Sequence, residues 1–140
     1  MKITICGSMV FAKEMLAAQK QLEELGHEVL IPIDTHECLI KPELQDDLDW
    51  AINQNLDKDH FSKVANSDAV LILNYPKNNI NGYIGGSTLM ELGIARHLDK
   101  KIFILHDLPD EKDIRYALEI KVMKPIILNG NIDQITNHIN

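Results

Sequence analysis

Along this chain, short β-branched apolar runs alternate with stretches in which apolar positions recur every three or four residues. Ile3-Thr4-Ile5-Cys6 reads as a strand ended by Gly7-Ser8. Met15, Ala18, Leu22 and Leu25 then share one helix face, and Gly26 is a natural stop. Glu28 to Ile31 is a second short strand, ended by Pro32. The stretch from Asp34 to Lys41 reads as irregular. Pro42 can open a helix, and Leu44, Leu48, Ile52 and Leu56 repeat every four residues, which predicts helix to about Asn66, in one piece or two.

The clearest strand is Ala69-Val70-Leu71-Ile72-Leu73, a continuous apolar run of the kind a sheet covered on both faces requires. Tyr75 to Gly86 is a loop, and a helix follows from about Ser87 to Leu98. Ile102 to Leu105 is the fourth strand, Glu111 to Val122 a helix, and Pro125 to Leu128 the fifth strand. Asn129-Gly130 is a turn before a short terminal helix.

Strands alternating with helices imply a parallel sheet with right-handed crossovers. Five strands fit an α/β, flavodoxin-like three-layer sandwich with strand order 2-1-3-4-5. No repeat, low-complexity tract or linker interrupts the pattern, so residues 1–140 are expected to form one domain. In such sheets ligands bind at the carboxyl ends of the strands, where the chain switches direction between strands one and three. That rule selects two loops, Gly7 to Phe11 and Asn74 to Ser87.

Composition narrows the partners. The formal net charge of −7 and the scattered lysines leave no basic patch for polymeric nucleic acid. A single nucleotide remains possible, because backbone N–H groups at a helix start hold a phosphate without net positive charge. No apolar run is long enough to span a bilayer, and the N-terminus reads as a strand rather than a signal peptide, so no membrane partner and a cytoplasmic location are expected. The two cysteines, Cys6 and Cys38, lack metal-type spacing and read as structural thiols.

In the first loop, Gly7-Ser8 offers a close backbone approach and then a hydroxyl, or merely a helix cap; Met9 and Phe11 follow in the same segment. The second loop is richer. Gly82, Gly85 and Gly86 precede a helix start, and glycine permits close approach. Ser87 can cap the helix and face a ligand. Glu91 lies about one turn in, where the helix dipole favours the charged carboxylate. A carboxylate there suits attack on an anomeric carbon, through a covalent ester; an ordinary first-turn acid is the plainer reading. The loop is neither a Walker A site nor the Gly-x-Gly-x-x-Gly dinucleotide fingerprint.

Ile5-Cys6-Gly7-Ser8, Asn66-Ser67-Asp68-Ala69-Val70 and Gly85-Gly86-Ser87-Thr88-Leu89-Met90-Glu91-Leu92-Gly93 occur in that order and spacing. Together they resemble the nucleoside 2-deoxyribosyltransferase superfamily, which includes the deoxynucleoside 5′-monophosphate N-glycosidases, over roughly residues 1 to 106. The resemblance implies cleavage or transfer at an N-glycosidic bond of a nucleoside or nucleotide, no metal and no organic cofactor, and a homodimer or larger homo-oligomer. It places the nucleophile on Glu91. The family's orienting tyrosine falls on Thr4, which has no phenol; Tyr83 could replace it only by pointing inward. The acid that assists the departing base falls on His60, with Asp59 adjacent; histidine as a residue type suits proton donation near neutrality. Gly7, Ser8, Met9, Phe11, Asn74, Tyr83, Gly85, Gly86 and Ser87 are the substrate-binding candidates. Asp68 reads as structural.

Two other readings use the same residues. One is a non-catalytic nucleotide-binding or sensing module, favoured by the missing tyrosine. The other is a phosphoribohydrolase of the lysine-decarboxylase-like family, whose pattern departs from this chain at Ser87 and Leu92. Lys77 reads as a solvated loop lysine that could meet a phosphate, His36-Glu37 as a weak candidate for ligand contact, and Trp50 as packing or interface. Asp57, Asp59 and His60 do not have the spacing of a metal ligand set.

Overall fold

A computed structural model describes residues 1–139. It contains one five-stranded sheet, all parallel, in the order β2-β1-β3-β4-β5. The strands are β1 (Lys2–Gly7), β2 (Glu28–Leu30), β3 (Ala69–Leu73), β4 (Lys101–Ile104) and β5 (Ile126–Ile127). The helices are α1 (Ala12–Glu24), α2 (Thr35–Ile40), α3 (Leu48–Asn53), α4 (Leu56–Ala65), α5 (Gly86–His97) and α6 (Ala117–Val122).

The alternation of side chains along the central strands builds two cores. Ile3 and Ile5 of β1 and Leu71 and Leu73 of β3 meet Met15 and Leu22 of α1, with Ile132 and Ile135 of the C-terminal 3-10 segment. On the other face, Cys6, Val70 and Ile72 meet Val64 of α4, Leu92 and Ala95 of α5 and Ile120 of α6. Every residue of β3 is buried, as its unbroken apolar run predicts. This is the predicted flavodoxin-like three-layer sandwich. Among the described residues no helix is long and apolar enough to cross a membrane.

Three segments differ from the sequence expectation. Residues 35–40 are helical rather than irregular, because burying Thr35 and Cys38, one turn apart, gives a short helix a reason to form. Residues 42–65 split into a 3-10 turn, α3 and α4. Asp47 caps α3 by accepting from the Trp50 N–H at 3.0 Å, and left-handed Asn55 separates α3 from α4. The expected helix from Glu111 begins only at Ala117. Asp110 accepts from the Lys112 N–H at 2.8 Å, a local turn that competes with helix.

Candidate active site

The carboxyl ends of β1 and β3 and the start of α5 converge on one cleft. Gly7 sits where an added Cβ would lie 2.9 Å from the Leu73 carbonyl oxygen, so only glycine allows β1 and β3 to close up here. Gly82, at φ +70°, is packed so tightly that a Cβ would meet the Asp107 carbonyl oxygen at 2.3 Å, which fixes the path of the second loop.

α5 begins at Gly86, with Gly85 as its N-cap. Ser87 therefore does not cap it. Gly85 has no side chain with which to cap, and the first helical N–H to find a partner is that of Leu89, bonded to the Gly85 carbonyl at 3.0 Å. The N–H groups before it face outward, as at any helix start. Glu91 lies beyond the first turn, so the dipole argument for its charge weakens. Its partner is instead His60 of α4, whose Nδ1 lies 2.7 Å from Glu91 Oε1, both side chains buried. His60 Nε2 lies 3.2 Å from the Ile5 carbonyl oxygen.

Two cavities adjoin. One, of about 220 Å³, has Glu91, His60, Asp34, Asp57, Phe61 and Met90 in its wall. The other, of about 210 Å³, is lined by Ser8, Tyr83, Gly85, Gly86, Lys77 and Asp46. Gly7, Met9, Gln45 and Ser87 line both. Lys77 Nζ donates to Ser8 Oγ at 2.8 Å and lies 5.1 Å from the centre of the Tyr83 ring. Ser8 thus receives a lysine rather than capping the turn after it.

The other sequence candidates lie elsewhere. Asp59 pairs with Lys63 at 2.9 Å and does not line the cleft; Asp57, two residues earlier, does. Phe11 is buried edge-on against Tyr75. The Asn74 side chain donates to the His106 and Asp107 carbonyls and accepts from the His106 N–H, a structural clamp beside a separate cavity. Tyr83 stays in the wall of the second cavity, its ring against Lys77 and not Glu91. The Thr4 hydroxyl bonds the Lys63 carbonyl and Ser67. His36 and Glu37 are exposed on α2, while Pro32 and Asp34 from the same connection reach the cleft.

Sequence reasoning missed Cys6. Its thiol belongs to a buried group with His60 and Glu91 whose donor atoms all lie within 4.8 Å of one another. Burial pushes the Cys6 thiol well above its usual range, and the neighbouring Glu91 charge adds to the shift. The signal was present, since Cys6 precedes Gly7 at the end of β1, but only the packing of α4 and α5 on that face brings the three together.

The architecture is that of a flavodoxin-like α/β protein with a carboxylate-centred cleft at the switch point. No family model matches the chain, and no curated protein matches it. Among solved structures it is similar to the Clostridium botulinum CMP N-glycosidase BcmB, with 17% identity and a TM-score of 0.54, over 99% of this chain and 100% of that one. The likeness is one of fold.

Proposed function

We propose that this protein breaks the N-glycosidic bond of a nucleoside 5′-monophosphate, by hydrolysis or transfer, with Glu91 as nucleophile. The observation that carries this reading is the pairing of the two cavities. One presents a buried carboxylate; the other presents a lysine, the hydroxyl-bearing residues Ser8, Tyr83, Ser87 and Thr88 and a helix N-terminus, with Asp46 also in its wall, and the two share a wall. A nucleotide has the matching asymmetry, an electrophilic anomeric carbon at one point and an anion a few ångströms away. The fold likeness to a CMP N-glycosidase supports the same substrate class.

In this reading Lys77, Ser8, Ser87 and the open N–H groups of α5 take the phosphate. Gly7 and Met9 lie along the sugar, and the base occupies the side walled by Phe61, Asp34 and Asp57. Glu91 attacks C1′, the base leaves with the electron pair of the C1′–N bond, and water or an acceptor resolves the ester. Exposed Leu39, Ile40, Leu48 and Ile52, on α2 and α3 beside this cavity, suit the homo-oligomer that the family resemblance implies.

The test is a chromatographic screen of pooled ribo- and deoxynucleosides and their 5′-monophosphates for released base. Wild type should release base and Glu91→Ala should not. A fully active Glu91→Ala sinks the mechanism. The absence of a phenol at Thr4 favours a second reading, a nucleotide-binding module without turnover. Thermal-shift binding with no base released by wild type would select it.

A further inference from the structure

The end of β2 decides what His60 can do. In the β1–β2 ladder the Glu28 N–H donates to the Met1 carbonyl, and Ile3 pairs with Val29 and Thr4 with Leu30. The same offset carried along the ladder assigns the donor for the Ile5 carbonyl to residue 32. That residue is Pro32, which has no N–H. Ile5 is buried, and a buried carbonyl needs a donor. His60 Nε2 occupies that place, 3.2 Å from the oxygen.

A carbonyl oxygen only accepts, so Nε2 carries the hydrogen. Nδ1 then meets Glu91 Oε1 at 2.7 Å. Two lone pairs do not face each other at that distance, so a hydrogen lies between them. Whether the pair is imidazolium with carboxylate or imidazole with carboxylic acid, Oε1 is held at a fixed point. Glu91 Oε2, by contrast, is buried with no hydrogen-bond partner among the described residues.

We propose that His60 is the positioning residue for Glu91: it holds the carboxylate through Oε1, and the Ile5 carbonyl left open by Pro32 fixes the imidazole tautomer that does so. The proposal rests on the glycosidic reading of Glu91 and deepens it. It gives His60 a role exercised through Glu91, in place of direct protonation of the base. A bond from the Glu91 carboxylate to C1′ forms as the C1′–N bond breaks, and the electron pair leaves with the base. Water then attacks C1′, and the electron pair of the ester C1′–O bond returns to the carboxylate. Over the cycle one water is consumed, its hydroxyl going to C1′ and its proton to the base. The hydrogen between His60 and Glu91 ends where it began.

The first test does not depend on turnover. In histidine-¹⁵N-labelled protein, one imidazole proton should resonate far downfield, be absent from His60→Asn, and move upfield or vanish in Glu91→Gln. A His60 spectrum indifferent to Glu91→Gln overturns the contact. The second test uses whichever nucleotide wild type cleaves. His60→Ala should lower kcat about 100-fold with KM unchanged, the scale of a misplaced reacting group. His60→Asn, whose amide can donate to Oε1 from near the Nδ1 position, should recover part of that loss. Equal losses in Ala and Asn, or a loss carried by KM, overturn the positioning role. A wild type that releases no base overturns the glycosidic reading and the positioning of a nucleophile with it, while the spectrum still decides the contact.

Discussion

Lys77 Nζ donates to the Ser8 hydroxyl at 2.8 Å, so a cation from the loop after β3 is anchored on the loop after β1. The lysine is half-buried and lies against the Tyr83 ring, which limits its freedom before any ligand arrives. Its ammonium keeps further donors for an anion.

Lys77→Met should therefore weaken 5′-monophosphates and spare nucleosides. A charge-assisted hydrogen bond of about 1.5–3 kcal/mol corresponds to a rise of roughly 10–100-fold in Kd or KM for the phosphorylated compound. Calorimetry with each pair of compounds checks it. An equal loss for nucleoside and nucleotide would remove Lys77 from phosphate recognition.

Gly7→Ala should destabilise the fold as well as the site, because the new methyl meets the Leu73 carbonyl oxygen at 2.9 Å and backbone cannot swing away as a side chain would. The expected cost is about 1–3 kcal/mol in urea unfolding. Gly86→Ala is the control: an added Cβ there meets nothing within 4 Å and should leave stability nearly unchanged.

The cysteine cluster should not hold zinc as its working state. Ligands at about 2.0–2.1 Å from a tetrahedral ion stand roughly 3.3 Å apart, whereas His60 Nδ1 and Glu91 Oε1 are 2.7 Å apart, the separation of a hydrogen-bonded pair. Exhaustive chelation is expected to leave the melting temperature and any base-releasing activity unchanged. Stoichiometric zinc in the purified protein, lost together with activity on chelation, would contradict this.

Both thiols are held protonated by the fold, and this has a defined sign in pH. Burial, with Asp34 beside it, pushes the Cys38 thiol from 9.0 up to about 12. Above pH 9 the unfolded chain loses that proton and the folded chain does not. Stability should fall across pH 9 to 12, at most about 1.4 kcal/mol per pH unit from this group. Urea titrations of wild type and Cys38→Ala should diverge in this window and not below it. Parallel curves would show that burial of Cys38 does not govern the loss.

The strands were legible because burial on both faces writes itself as an apolar run, plain at Ala69–Leu73. The Gly-rich loop and Glu91 were legible because a helix start after a parallel strand carries its own punctuation. What stayed hidden depended on phase or on pairs distant in sequence. Left-handed Asn55 resets the helix that follows, so Asp57 and not Asp59 reaches the cleft. Asn74 reads in sequence as a substrate-binding residue, yet its amide is satisfied by the chain after β4, a register that sequence spacing does not encode. The His60–Glu91 contact joins α4 to α5 across the sheet end, and no local pattern announces it.

The sheet also has little to offer a neighbour at its margins. Its outer strands are β2, three residues long and followed by Ile31-Pro32, and β5, only two residues long. Edges this short make poor templates for an added strand. Copies of this chain that associate are therefore expected to meet through their helical surfaces rather than by extending one continuous sheet.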